Sequence, residues 1–457
     1  MRVQIGLLMF ACSLAWHGAG IAAETRSHVS GEVQSIKRYM FSKDTFDAVK
    51  TELATQKFVF SNAPSAPAAG GTSHVVGTSP SGYQTPIIID RASGAFHVYA
   101  ERRRPQHPSG SVPYVVQEVI FNTPDPEVSP VGTLTYPKSG GPFPAVVLLA
   151  GSGPHNRDAG MSLHKTLLVL ADHLSRQGFA VLRYDKRGVG LSGGKLHPLS
   201  TIDDYAADAL AAVRFLKLQP NINPAQIGIL GHSEGAIVAP MVAAAAPHEV
   251  RFIVMLAGTG LPGIEVKLLQ DAAARRADGM SEELVQLNRG QERELYDIAA
   301  SKRKPAEALA AMRAATAALP EQTRITLEIP PEGIPDEALQ DLLSPWFRHF
   351  LALDPRPYLE KVHCPVLALV GEKDLQVTPA ENLKAIAHAL NTGQPHTDVR
   401  QLPALNHAFQ TAKTGKVSEY LLIEETIAPS ALFLVSRWMH AVLRDASSAV
   451  TPTTLAH

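Results

Sequence analysis

The sequence predicts an α/β fold: a mostly parallel central sheet flanked by helices, with a helical cap insertion and a small amino-terminal accessory region. Three observations carry this expectation. From Pro144 onward, short apolar runs alternate with segments of helical periodicity, and such alternation needs crossover connections and a sheet covered on both faces. The stretch from about Pro262 to Tyr358 is rich in Ala, Glu, Arg and Leu at helical spacing and lacks strand-like runs, which reads as a cap between two strands. Upstream of Pro113 the β-like runs are short and separated by Gly, Pro and Ser.

Taken in order, the chain opens with Met1-Arg2, an apolar run from Val3 to Trp16, and small residues ending in Ile21-Ala22-Ala23 before Glu24. That is the layout of a secretory signal over residues 1–23, with cleavage expected after Ala23 or, alternatively, Ala22. A periplasmic or secreted location is the expectation. The apolar run is shorter than the ~20 residues that cross a bilayer, so no stable membrane insertion is expected. Cleavage removes Cys12 and leaves Cys364 alone, which excludes an intramolecular disulfide; acylation of Cys12 in a lipobox-like Met9-Phe10-Ala11-Cys12 is the alternative use of that residue. The 457 residues carry a formal charge of -1 and 19% charged residues, which gives no single-sign field to attract nucleic acid.

Residues 24–113 read as the accessory region. They hold a helix around Thr45 to Leu53, a Pro/Gly/Ser-rich loop or linker from Asn62 to Thr85, and β-like runs at Thr85 to Asp90 and Ala95 to Ala100. With further runs at Tyr114 to Asn122 and Val131 to Tyr136, all four suggest a small accessory region feeding into the edge of the main sheet in residues 114–457. The alternation then proceeds through PAVVLLA, a helix near Leu163 to Gln177, FAVLRY, a helix near Ile202 to Leu218, QIGIL, a helix after Ser233, and RFIVMLA. After the cap come PVLALVG, a helix near Pro379 to Ala389, DVRQLP, and a closing helix near Ser430 to Arg444.

The strongest chemical signal is Gly231-His232-Ser233-Glu234-Gly235, between the apolar run Ile227 to Leu230 and the helical Ala236 to Ala246. G-x-S-x-G in a strand-turn-helix setting presents a serine hydroxyl at a helix start, where the next backbone N–H, that of Glu234, can face a developing oxyanion. A serine nucleophile needs a base, and the base needs a carboxylate to hold its tautomer. Asp374 follows a strand in Val-Gly-Glu-Lys-Asp, and His407 follows another in Pro-Ala-Leu-Asn-His-Ala-Phe. His388 and His440 fall within helical patterns, and His363 and His396 precede strands, so their placement is poorer. A second oxyanion donor is expected after PAVVLLA, in Ala150-Gly151-Ser152-Gly153-Pro154-His155-Asn156-Arg157-Asp158; Ser152 N–H is preferred and Gly153 is next. No metal is expected, because no histidine or acidic pair with ligand spacing accompanies this loop. Gly188-Val-Gly190-Leu-Ser-Gly193 matches G-x-G-x-x-G, but Pro198 and the Gly193-Gly194 pair argue against a helix opening on it. No cofactor is expected.

Tyr184-Asp185-Lys186-Arg187-Gly188-Val189-Gly190-Leu191-Ser192 resembles the D-x-R-G-x-G-x-S loop of the α/β-hydrolase superfamily. Together AGSGPHNRD, GHSEG, GEKD and NHAFQ are similar to bacterial carboxylesterases and to the serine-aminopeptidase-like branch, over roughly Val119 to Leu443. The resemblance implies the α/β-hydrolase fold, with Ser233 as nucleophile, Asp374 as acid and His407 as base, the assignment that chain order and context also reach. It departs from the family at the oxyanion loop, where Ala150-Gly151 replaces a His-Gly pair. The implied activity is a carboxylic ester hydrolase acting on a small-molecule ester through an acyl-enzyme. A peptidase would need an acid for a free amino terminus, for which Glu282 and Glu283 are candidates. A thioesterase is disfavoured by export, and a non-catalytic binding protein by the presence of all three residue types. Trp346 and the cap's Leu and Ala residues either line an apolar pocket or pack on the main domain. Acyl length and oligomeric state are left open.

Overall fold

The computed structural model describes residues 104–161, 164–390, 396–420 and 422–448, together with five short strands of the amino-terminal part. The expected signal at residues 1–23 and the expected helix around Thr45 to Leu53 lie outside the described residues. The five strands form an antiparallel sheet of their own, in the order Tyr39–Met40, Ala95–Val98, Gln84–Asp90, Thr72–Thr78, Val59–Phe60. One strand corrects the reading of residues 62–85 as a loop. Thr72–Thr78 pairs residue by residue with Gln84–Asp90, for example Val75 with Ile87, because a partner strand supplies ladder hydrogen bonds whatever the local Gly and Ser content.

The main sheet has eight strands: β1 (Tyr114–Ile120), β2 (Val131–Pro137), β3 (Phe143–Leu149), β4 (Ala180–Tyr184), β5 (Ile222–His232), β6 (Ile253–Leu256), β7 (Val366–Gly371) and β8 (Asp398–Leu402). Their spatial order is β8-β7-β6-β5-β3-β4-β2-β1. Every pair from β8 to β4 is parallel, whereas β2 runs antiparallel to both β4 and β1. The four β-like runs expected to feed the sheet edge therefore divide: the first two belong to the separate sheet, and the last two are β2 and the edge strand β1.

Helices α1 (Thr166–Arg176), α2 (Ile202–Lys217) and α3 (Glu234–Ala245) follow β3, β4 and β5. Burial on both faces explains the unbroken apolar strands. Alternate residues of β3, Val146 and Leu148, join Leu230, Val254 and Leu367 under α1 and the last described helix of this unit, Pro429–Ser448; Ala145, Val147 and Leu149 alternate to the other face, and all five β3 residues from Ala145 to Leu149 are buried. α3 is buried from Glu234 to Ala243, which explains its lack of a polar stripe.

Between β6 and β7 the described chain is helical: α4 (Gly263–Ala277), α5 (Glu282–Ala300), α6 (Pro305–Ala317), α7 (Glu321–Thr326), α8 (Asp336–Asp341), α9 (Pro345–Ala352) and α10 (Arg356–Leu359). This cap hides charge as well as apolar surface. Lys267, Asp271 and Arg275 share one face of α4 at helical spacing and are buried with Glu292 and Tyr296 of α5. The Arg275 guanidinium grips both Glu292 oxygens, and the Tyr296 hydroxyl donates to Asp271 Oδ2 at 2.8 Å. Among the described residues no helix is long and apolar enough to cross a membrane.

Candidate active site

In a parallel sheet all strands end on one edge, so the loops after β3, β5, β7 and β8 converge there. These loops carry Ser152, Ser233, Asp374 and His407. Ser233 sits between β5 and α3 at φ 55° and ψ -116°, a left-handed backbone that an L residue holds only under constraint from its surroundings. The flanking glycines are required by close approach. A Cβ on Gly231 would lie 2.0 Å from the Gly235 carbonyl oxygen, and one on Gly235 would lie 2.5 Å from that of Leu149. The second contact also seats the start of α3 on the end of β3. Ser233 N–H still donates to Leu256 O at 2.8 Å, so the turn is anchored to the sheet.

Asp374 and His407 meet because their two loops are tied together. Lys373 N–H donates to Leu405 O at 2.8 Å, Glu372 N–H to Leu402 O at 2.8 Å, and Ala404 N–H to the Glu372 carboxylate at 2.7 Å. His407 Nδ1–H donates to Asp374 Oδ2 at 2.8 Å, with both side chains buried. The other oxygen, Oδ1, accepts the N–H groups of Gln376 and Val377, each at 2.8 Å. That divides the carboxylate into one oxygen for the backbone and one for the imidazole. Behind His407, Asn406 Oδ1 accepts from Ala408 N–H at 3.0 Å and Gln410 N–H at 2.9 Å, and Asn406 Nδ2 donates to Gln410 Oε1 at 3.0 Å. The Asn and Gln of NHAFQ thus shape the loop that presents the histidine, a role that only the folded loop makes visible.

His407 lies beside the serine turn. His232 Nε2–H donates to His407 O at 2.8 Å, and the two rings are 4.9 Å apart. On the opposite side stands the loop after β3: a Cβ on Gly151 would lie 3.2 Å from Ser233 Cβ and 3.5 Å from His232 Nδ1. The structure therefore brings the predicted nucleophile, base, acid and donor loop to one place.

The carbonyls of the donor loop are held from behind. Lys186 Nζ donates to Gly151 O at 2.9 Å, and the His155 ring donates from Nε2 to Ser152 O at 2.8 Å. In a trans peptide the C=O of one residue points opposite to the N–H of the next, so Lys186 sets the direction of Ser152 N–H. Asp158 pairs with Arg183 at 3.1 Å, which accounts for the loop's acid. The glycine-rich stretch after β4 turns rather than opening a helix: Ser192 Oγ donates to Asp185 O at 2.8 Å and accepts from Val131 N–H at 2.9 Å. Arg187 meets both oxygens of the buried Asp208, at 2.8 and 2.7 Å.

One group beside the nucleophile escapes the sequence reading. The Glu234 carboxylate is buried against Lys186 Nζ, 2.6 Å away, and against the indole N–H of Trp346 in α9. Burial alone would push this carboxyl up, but the Lys186 charge and the hydrogen bonds from Lys186 and Trp346 outweigh it and hold it below the usual carboxylate range. Trp346 also packs on His197, ring to ring at 4.5 Å. It belongs to the contact between cap and main domain. Of the acids considered for a free amino terminus, Glu282 is exposed and engaged by Arg276 at 2.7 Å, and Glu283 is exposed.

Buried imidazoles make this site sensitive to acid. Burial pushes His232 down to about 3 and His197 down to about 4, from 6.5 in the unfolded chain. Between those values the unfolded state binds more protons than the folded one, so the stability is complete above pH 6.5 and falls as pH drops. Urea unfolding at steps from pH 7 to pH 5 should show a decline approaching about 1.4 kcal/mol per pH unit for each imidazole. A flat profile would mean that both protonate within the fold.

A family model described as serine aminopeptidase, S33, matches residues 160–316, which include the serine turn and the first part of the cap. Esterase EstD of Thermotoga maritima is 26% identical over 313 residues, 67% of this chain. The chain spans 65% of the length of that relative. Among solved structures it is similar to hypothetical protein PA2218 from Pseudomonas aeruginosa, at 15% identity and TM-score 0.44, over 75% of this chain and 98% of that one. The Pyrococcus furiosus esterase PF2001 is similar at 15% identity and TM-score 0.43, with the same coverage of 75% and 98%.

Proposed function

The chain belongs to the α/β-hydrolase superfamily, and within it we propose that this protein is a serine hydrolase cleaving carboxylic esters through Ser233, His407 and Asp374. The observation that carries the proposal is the closed His407–Asp374 pair, 2.8 Å, beside the constrained turn that presents Ser233. His407 Nε2 takes the proton of Ser233 Oγ as that oxygen attacks the ester carbonyl carbon. Glu234 N–H and Ser152 N–H hold the oxyanion. Collapse expels the alkoxide, which leaves as the alcohol with the proton from His407. Water, losing a proton to the same imidazole, then attacks the acyl-enzyme and releases the carboxylic acid and free Ser233. The signal-like residues 1–23 support action outside the cytoplasm.

A peptidase acting at a free amino terminus is the second reading, favoured by the description of the matching family. The carboxylate nearest the nucleophile in sequence, Glu234, does not support it, because that side chain is already paired with Lys186. The test is hydrolysis of p-nitrophenyl esters from acetate to palmitate, with aminoacyl-p-nitroanilides in parallel. Cleavage of esters and not anilides is the expected result. Anilide cleavage would establish the peptidase, and silence on both series would remove the hydrolase assignment.

A further inference from the structure

We propose that Trp346, Glu234 and Lys186 couple the seating of cap helix α9 to the geometry of the oxyanion hole, so that the site is competent only with the cap docked. The inference rests on the serine hydrolase reading above and names positioning residues for it.

Three observations converge on one carboxylate. Glu234 is the residue after the nucleophile, so its side chain and the N–H that faces the oxyanion belong to one residue. Its Oε1 takes a hydrogen bond from Lys186 Nζ at 2.6 Å, and its Oε2 takes one from the indole of Trp346. Lys186 spends a second bond on Gly151 O, 2.9 Å, and rests 4.0 Å from the centre of the Tyr205 ring. Through the trans peptide, that second bond aims Ser152 N–H. Both oxyanion donors are therefore tied to a single ion pair, and the cap contributes one of its hydrogen bonds. α9 itself seats on the turn His197–Leu199, where the His197 and Trp346 rings meet at a tilt, 4.5 Å between centroids.

Adhesion alone does not call for this chemistry. Burying a carboxylate and an ammonium carries a desolvation penalty that apolar residues of the same size avoid, and α9 already supplies Phe347 and Leu351 as buried packing groups. The charged cluster adds direction. When α9 lifts, the carboxylate loses its indole donor and shifts toward Lys186 or water, and Lys186 loosens its hold on Gly151 O. The donor that misaligns is one that acts in the transition state and not in substrate binding.

The experiment compares wild type with Trp346→Phe, which keeps the aromatic bulk and removes the N–H, with Lys186→Met, and with both together, on the best-cleaved p-nitrophenyl ester. Trp346→Phe should lower kcat about tenfold with KM within about twofold, and weaken an alkylboronic acid, which mimics the tetrahedral adduct, by the same factor. Lys186→Met should lower kcat about a hundredfold, near the loss of one oxyanion donor. The double variant should be no slower than Lys186→Met, because both act through one carboxylate. Urea unfolding verifies the fold of each variant. Should Trp346→Phe not fold, Glu234→Gln, which keeps the volume and removes the charge, gives the same kcat and boronate readout. Unchanged kcat, a change confined to KM, or losses that multiply in the double variant would overturn the coupling and leave the hydrolase reading intact. A wild-type protein that neither turns over esters nor is labelled at Ser233 by a fluorophosphonate would overturn both.

Discussion

Ser233→Ala is expected to lower kcat on the best ester by about 10⁶-fold, with KM changed only a few fold, because the hydroxyl is the only covalent participant while the pocket is untouched. Folding should not confound the measurement. Ser233 holds φ at 55°, and alanine carries the same Cβ into the same constrained backbone, so the turn is neither relieved nor further strained. Its N–H bond to Leu256 O, 2.8 Å, involves no side chain. Because nucleophile and base act as a unit, Ser233→Ala combined with His407→Ala should be no slower than Ser233→Ala alone. Stopped assays on both variants, with unfolding midpoints alongside, decide it. A Ser233→Ala protein that retains more than about a thousandth of wild-type turnover, after a background of oxyanion stabilisation is allowed, would remove Ser233 from the nucleophile's place.

Asp374→Asn should lower kcat by about 10⁴-fold while the protein stays folded. The reason lies in how the carboxylate is shared. Oδ1 accepts two backbone N–H groups, from Gln376 and Val377, at 2.8 Å each. An asparagine must keep its oxygen there, since an amide NH₂ facing two N–H groups has no acceptor to offer. Its NH₂ then faces His407 Nδ1, which becomes the acceptor. The imidazole proton is forced onto Nε2, the position that must be bare to take the proton of Ser233. Asp374→Ala removes the orienting group without imposing the wrong tautomer, and additionally strips the two N–H groups of their partner, so it should lose stability as well as rate. An Asp374→Asn enzyme with near wild-type kcat would show that the tautomer is set by another group.

The serine turn is legible in the sequence because its constraint is local. Gly231 and Gly235 flank Ser233 within one strand-turn-helix, and the contacts that exclude a Cβ come from the turn itself and from β3. The parallel sheet is equally legible, since burial on both faces writes itself as unbroken apolar runs such as PAVVLLA. Thr72–Thr78 is not legible, because composition speaks for a loop while pairing with Gln84–Asp90 makes a strand. The cap's charges mislead similarly: Lys267, Asp271, Arg275 and Glu292 look like a solvated face, yet they are buried in mutual pairs.

Local sequence thus determined the elements of the main sheet and its helices, the elbow and the order of Ser233, Asp374 and His407 along the chain, since each depends on residues within a few positions of one another. Only the tertiary structure decided that Asp374 meets His407, that Lys186 turns its ammonium to Gly151 and Glu234, and that Trp346 crosses from the cap to the same carboxylate. Those encounters join residues tens to more than a hundred positions apart, and they are set by strand register and loop closure. A lysine in D-x-R-G and a tryptophan in a helical insertion carry no local mark of a shared partner; burial without water creates that need, and only the packed chain shows which groups meet it.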